Sequence, residues 1–257
     1  MTESRRSAQR FFAKHASGYA KSSGFAHGAD LEALVKALKP AKTDLALDVA
    51  TGTGFTAFSL APLVRSVVGV DITDGMLRQA RRLAKVRRAG NVTFERGDAL
   101  RLGYPDASFD IVTTRRATHH FADVPAFLHE AKRVLRPAGR LGIVDMSPPR
   151  GATDFANHIE KLRDSSHARA FDPAEWRLML DEADLEISSE LILEEAISLG
   201  DWLYPVEAGG KEEEAVRTAW KSASTRVRRL LKAVMHDGVI RGWTKHRIVL
   251  VAMSETP

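Results

Sequence analysis

The segment Leu47-Asp48-Val49-Ala50-Thr51-Gly52-Thr53-Gly54 constrains this chain more than any other. An apolar run, Leu45-Ala46-Leu47, leads into an acid and then two glycines one residue apart, and helix-compatible residues follow through Leu60. That pattern reads as a buried strand, a tight turn and a helix N-terminus. Gly52 and Gly54 let the backbone turn sharply and let a ligand approach the main chain closely. A lone Gly-x-Gly is a weak signal, because such glycines often serve only the turn.

The acids that follow add weight. Val67-Val68-Gly69-Val70-Asp71 is a second short strand ending in a carboxylate, 17 residues beyond Gly54. At that place in a nucleotide-binding sheet a carboxylate accepts hydrogen bonds from ribose hydroxyls. Asn91 to Glu95 is a third strand, followed by Gly97-Asp98-Ala99, where a carboxylate and a backbone N–H suit an adenine edge. Phe109 to Thr114 is a fourth strand and Gly139 to Asp145 a fifth, with helical patterns between them. Such alternation predicts a parallel sheet covered on both faces, with ligands at the carboxyl ends of the strands.

The array resembles class I S-adenosylmethionine-dependent methyltransferases. The matching residues are Leu47 to Gly54, Val68-Gly69-Val70-Asp71, Gly97-Asp98-Ala99 and Ser108-Phe109-Asp110-Ile111-Val112. Arg133-Val134-Leu135-Arg136-Pro137-Ala138-Gly139 completes them, with Ala138 where the family has a glycine. The resemblance is strong over residues 45–147 and nearest to small-molecule enzymes akin to the ubiquinone/menaquinone-biosynthesis C-methyltransferases. It extends to a bacterial subgroup through Arg116 to Phe121, Leu162 to His167 and Asp172 to Trp176.

The resemblance implies a doubly wound, seven-stranded Rossmann-like α/β sheet whose last strand is antiparallel. It implies S-adenosylmethionine as cofactor and S-adenosylhomocysteine as product. The implied cofactor-binding residues are Asp48, Ala50, Thr51, Gly52, Gly54, Asp71, Ile72, Met76, Gly97, Asp98, Ala99 and Arg115. The carboxylates have a second possible role as caps of the helices that follow, since Asp is a favoured N-cap.

The chain is read as one domain of 257 residues, long enough for a full core. Residues 1–40 form an N-terminal helical lid, 41–147 the cofactor-binding core, 148–183 a cap insertion and 184–257 the remaining sheet and helices. The first helix is expected over residues 2–20, ending near Gly18, with Ser22-Ser23-Gly24 as a hinge and a second helix from Ala29 to Leu38. Thr73 or Asp74 is expected to cap the next helix and Gly90 to end it. Asp123 should cap the helix running to Leu135. Leu185 to Ala196 reads as a strand, Glu212 to Val234 as one long helix and Arg247 to Met253 as the final strand.

With no cysteine, disulfides, thiolate nucleophiles and cysteine-held metals are excluded. No run approaches a membrane span and the N-terminus lacks an apolar signal core, so a cytoplasmic protein is expected, as monomer or homodimer. The net charge of +5 is concentrated at Arg78 to Arg88 and Arg217 to Lys232. Without aromatic interleaving or a basic tail these read as solvated faces, and nucleic acid is not the expected partner.

His119 and His120 follow the fourth strand, at the catalytic edge of this fold type. A histidine there can take a proton from a hydroxyl, an amine or an activated carbon; either can instead cap a turn or pack under the lid. Tyr19 is a further catalytic candidate, because related enzymes pair a lid tyrosine with that histidine. Arg116, His158 and Arg163 are the candidate contacts to a small-molecule acceptor bearing a carboxylate or phenolate. His158, Glu160, Asp164 and His167 have metal-ligand types, but their spacing fits no zinc pattern, and no metal is expected. A nicotinamide oxidoreductase is the first alternative, since Gly52-x-Gly54-x-x-Ala57 is compatible with it. Asp48, Asp98 and the extension before the first strand speak against it. A methyltransferase acting on RNA, DNA or protein is the second, although Thr113-Thr114-Arg115-Arg116 stands where base-amine enzymes carry an Asn/Asp-Pro-Pro-aromatic motif. A cofactor-binding regulator without catalysis is the third.

Overall fold

The computed structural model describes residues 3–21, 26–204, 206 and 209–254. Its centre is a sheet of order β3-β2-β1-β4-β5-β8-β6. The strands are β1 (Leu45–Val49), β2 (Ser66–Asp71), β3 (Val92–Arg96), β4 (Phe109–Arg115), β5 (Leu135–Met146), β6 (Leu185–Ser198), β7 (Val234–His236) and β8 (Val239–Ser254). Strands β3, β2, β1, β4 and β5 pair in parallel, and β8 lies antiparallel between β5 and β6. β7 pairs with β8 off this path, making eight strands where seven were expected. The chain leaves β1 toward β2 and β3, then returns to β4 on the other side of β1. A crevice opens where that order reverses, outside the carboxyl ends of β1 and β4.

Both faces are covered, which is why the central strands read as continuous apolar runs. On one face pack α2 (Ala29–Leu38), α3 (Phe55–Leu60) and α4 (Asp74–Arg87), around Leu34, Leu38, Leu60, Leu77 and Phe94. On the other lie α5 (Val124–Val134) and α7 (Pro173–Glu182), around Phe127, Leu128, Trp176 and Leu180. A third cluster joins α6 (Thr153–Arg163), α8 (Leu199–Leu203), α9 (Lys211–Ser222) and α10 (Thr225–Leu230) through Trp202, Trp220 and Trp243.

Several local expectations change. α1 (Glu3–Lys21) runs through Gly18, where an added Cβ would meet the Tyr204 hydroxyl at 2.8 Å, so Gly18 is a packed helical residue rather than a joint. The proposed Ser22-Ser23-Gly24 hinge lies outside the described residues. Thr73 precedes α4 without a side-chain cap bond, and Arg88, not Gly90, takes the left-handed C-cap at φ 54°. The long helix from Glu212 to Val234 is broken, because Ser224 caps α10 through a bond from Val227 N, and Val234 begins β7. Ala138 adopts φ 60°, the left-handed conformation a glycine supplies freely, at a strain of roughly 1–2 kcal/mol. The insertion divides: α6 faces the crevice, whereas α7, with its Asp172/Glu175 capping box, buries Trp176 in the sheet core. The basic stretches are partly bound internally. Arg81 donates to Phe94 O, Arg87 lies over the Phe55 and Phe58 rings, and Arg217 pairs with Glu213.

Candidate active site

A cavity of about 450 Å³ fills the crevice. Its floor is the turn after β1. Ala50, Gly52 and Gly54 there take φ of 54°, 56° and 89°. Gly54 N donates to Thr51 O at 2.9 Å and Thr51 N to Val70 O at 2.9 Å, which tie the turn to itself and to β2. The two glycines serve different ends. A Cβ on Gly54 would lie 2.6 Å from the Phe94 ring, so Gly54 is required by packing; one on Gly52 would meet nothing within 4 Å and would project into open space.

Asp71 closes the turn. Its Oδ2 accepts from Gly52 N at 2.9 Å and its Oδ1 from Thr73 N at 2.8 Å. Each oxygen keeps a lone pair for a further donor. Burial pushes its carboxyl up, and the Thr73 and Gly52 N–H groups oppose that. Asp48 is fully buried, accepting from Thr51 Oγ1 at 2.6 Å and Thr113 Oγ1 at 2.9 Å. Burial raises its carboxyl to about 6 against those two hydroxyls. Asp98 accepts from Leu100 N at 3.0 Å. None of the three acids is the N-cap of a helix; each instead fixes a strand-end loop. Ile72, Met76, Gly97 and Ala99 line the same end of the cavity.

At the ends of β4 and β5 the side chains are polar and dry. Asp30, on the first turn of α2, is buried and holds two arginines. Arg115 donates to it from Nε at 3.2 Å and Nη2 at 2.9 Å, and Arg116 from Nε at 2.7 Å. Burial alone would raise the Asp30 carboxyl, but the Arg116 and Arg115 guanidiniums hold it well below the usual range. Arg116 is lowered to about 10, by desolvation first and then by Arg247 and Arg115. Both arginines are clamped, with side chains 4% and 15% exposed.

His119 sits on a 3-10 turn (Thr118–His120) after β4. Its Nδ1 lies 2.5 Å from Oδ1 of Asp145, the last acid of β5, and its backbone N donates to Asp145 Oδ2 at 3.1 Å. Thr118 Oγ1 donates to the same carboxylate, and Met146 N does so at 2.7 Å. Burial would raise the Asp145 carboxyl, but the His119 ring and these donors keep it well below its ordinary value. An ionised carboxylate only accepts, so His119 Nδ1 carries a proton, and in the neutral ring Nε2 is the acceptor. The loop after α6 clamps this turn through Ala168 N, which donates to His119 O at 2.7 Å.

His120 differs. Its Nδ1 faces Ser166 O at 3.1 Å, and a carbonyl oxygen only accepts, so Nδ1 donates. Burial and the adjacent His119 charge push it well below 6.5. Phe12 of α1 packs edge-on against its ring at 4.9 Å. α1 is held over the cavity by Gln9 Nε2, which donates to Ile72 O at 3.0 Å, and by Ala13 against Gly75. Tyr19 lines the cavity as well; burial raises its hydroxyl to about 12, and the charges facing it are those of Arg163, Asp164 and Glu160.

Arg163 lines the cavity, but His158 is exposed on α6 and lies off it, because the helix turns residue 158 to the outside. His167 is buried against Asn157 Oδ1 at 2.7 Å. No cluster among the described residues could hold a metal ion. The opposite wall was not anticipated: Ile197, Trp202, Tyr204, Lys245 and Arg247 come from the segment read as the remaining sheet and helices, to which no site residue was assigned. Asp145 was missed too, although it ends its strand in an acid just as Asp71 does.

Residues 47–143 match the family pattern described as "Methyltransferase domain". YcgJ of Bacillus subtilis strain 168, described as an uncharacterized methyltransferase, is 34% identical over 84% of this chain and 87% of its own length. The crystal structure of YcgJ shares the fold with a TM-score of 0.84 at 30% identity, over 90% of this chain and 100% of that one. The demethylmenaquinone methyltransferase of Deinococcus radiodurans is 49% identical over 40% of this chain and 43% of its own. No helix among the described residues is long and apolar enough to cross a membrane.

Proposed function

The chain belongs to the class I S-adenosylmethionine-dependent methyltransferases, and from that premise we propose that it methylates a small-molecule acceptor with His119 as the proton-taking base. The observation that carries the reading is the His119–Asp145 pair lining the cavity at the ends of β4 and β5, which leaves the other nitrogen of a neutral imidazole to accept. A cavity of about 450 Å³ suits a nucleoside cofactor with a compact acceptor better than a polymer.

The residues present fit the cofactor. The open space above Gly52 is room that a Cβ would fill. The remaining lone pairs of Asp71 suit ribose hydroxyls, and Asp98 with Ala99 suits an adenine edge. Bound there, S-adenosylmethionine supplies an electrophilic methyl group on a sulfonium. Phe12 and α1 keep bulk water from the cavity. Asp145 holds the imidazole in the tautomer whose Nε2 accepts a proton from an acceptor O–H, N–H or C–H, and stabilises the imidazolium that forms. His120, neutral and donating to Ser166, is a packing and positioning group. Tyr19 bounds the cavity on the α6 side.

Calorimetry with S-adenosylhomocysteine and with NAD, followed by a metabolite screen using a labelled methyl donor, tests the reading. Micromolar binding of the first and none of comparable strength for NAD is expected. Tighter binding of NAD would sink it.

A further inference from the structure

β8 outruns β5. Their pairing stops at Met146 against Arg247, while β8 continues back through Lys245 to Val239, beside β6. Arg247 and Lys245 are two residues apart, hence on one face and about 7 Å from each other along the strand. Both line the cavity, together with Arg163 and Arg116.

The counter-charges of this wall are unevenly placed. Arg116 is held by Asp30, Arg247 pairs with Glu195, and Arg163 donates to Glu160 Oε2 at 2.7 Å and Trp202 O at 2.6 Å. Glu160 spends its other oxygen on Trp202 Nε1 at 3.0 Å. Asp164 Oδ1 is taken by Ser166 N at 2.8 Å and Ser166 Oγ at 2.6 Å, and Asp201 Oδ2 by Ser198 Oγ at 2.7 Å. Among the described residues, the Lys245 ammonium makes no hydrogen bond or ion pair. It is thus an ammonium with three unfilled donors, facing a cavity whose apolar lining includes Ile197, Trp202, Met146 and Phe12.

We propose that Lys245, supported by Arg247, receives an oxyanion of the methyl acceptor, which is therefore a small molecule with an apolar body and a carboxylate or phosphate. This rests on the methyl-transfer reading above. Desolvation and the charges of Arg163, Arg247 and Arg116, against Glu160, push the ammonium down to about 8. An oxyanion fills the donors this ammonium leaves open, through charge-assisted bonds that a neutral isostere cannot make. The apolar residues take the body and orient it toward His119.

The test is a ligand-detected NMR titration of the full chain saturated with S-adenosylhomocysteine. The probes are benzoate, phenyl phosphate and benzamide. We expect at least one anion to bind about tenfold or more tightly than the neutral amide; which of the two does so assigns carboxylate or phosphate. Lys245→Met should abolish the preference while S-adenosylhomocysteine affinity stays within about twofold, and Lys245→Arg should keep it. Equal binding of all three probes to the wild-type chain overturns the proposal, as does no measurable binding of either anion or an undiminished preference in a Lys245→Met chain that still binds S-adenosylhomocysteine. If Lys245→Met does not fold, the wild-type preference and its survival in Lys245→Arg decide. Failure of the wild-type chain to bind S-adenosylhomocysteine refutes the methyl-transfer reading instead.

Discussion

Asp30→Asn isolates the largest electrostatic commitment around the cavity. The carboxylate is 1% exposed and takes three hydrogen bonds from two guanidiniums that are themselves 4% and 15% exposed. Asparagine keeps the shape but removes the charge and turns an N–H₂ toward donors. Each charge-assisted bond is worth about 1.5–3 kcal/mol, but they share one group and do not add. Removing one partner of a buried ion pair costs about 3–5 kcal/mol, because the other charge stays buried. A loss of about 3–4 kcal/mol is therefore expected near pH 7. In urea it should move the midpoint by roughly 1 M, for an m-value of about 3 kcal/mol/M. The pH dependence has a definite sign. Asp30 is held below its unfolded value, so its contribution is complete above about pH 4 and is lost as the pH falls through the folded value. The gap between wild type and variant should be flat around neutrality and close in acid. Asp184→Asn is the control, since the Lys132–Asp184 pair has side chains 33% and 72% exposed and should matter little. A midpoint shift for Asp30→Asn no larger than that control would refute the reasoning, as would a gap that widens in acid.

His119→Ala should lower turnover by about 10²–10⁴ at saturating cofactor, and Asp145→Asn by a similar factor, because the amide N–H₂ imposes the wrong tautomer. His120→Ala should cost much less, and equal losses for both histidines in single-turnover assays would contradict the assignment. Gly52→Ala should weaken S-adenosylhomocysteine binding with a stability loss near 1 kcal/mol, whereas Gly54→Ala, pressing on Phe94, should cost about 1–3 kcal/mol of stability; calorimetry and urea melts separate the two. His167 is lowered to about 4, by burial first and then by the charge of His119, so unfolding takes up a proton below about pH 6.5. Relative to His167→Gln, wild type should lose about 3 kcal/mol between pH 6.5 and 4, and parallel stability curves would rule this out.

The glycine turn and the strand-end acids were legible because they are local. Asp48, Gly52, Gly54, Asp71 and Asp98 each stand at the end of an apolar run, and a parallel sheet brings such ends to one edge whatever the rest of the chain does. The α2 helix was legible for the same reason, since its apolar period lies within its own ten residues, whereas the antiparallel sense of the last strand came from the family resemblance. Expectations failed where distant parts meet. Nothing near Arg115 or Arg116 announces that Asp30, 85 positions away, will hold both. Gly90 was a fair C-cap by type, but packing let Arg88 take the left-handed position first. Ser224 split a pattern that looked continuous, because a serine N-cap and a helix-interior serine are spelled alike.

The wall bearing Lys245 and Arg247 shows the division most plainly. Lys245 and Arg247 alternate with buried Thr244 and His246, as charged residues do on any half-exposed strand. Only the insertion of β8 between β5 and β6 turns their face into a cavity closed by α6 and α8. His158 carried a plausible residue type and was set outside by helix phase, while Asp145 lay unremarked until β5 aligned it with His119. The sequence by itself determined the parallel strands, the glycine turn and the acids at the sheet's edge, since these follow from short-range periodicity and turn chemistry. The tertiary structure decided which charges are buried together and which histidine is backed by a carboxylate, because pairing across the sheet depends on strand order and register that no local pattern encodes.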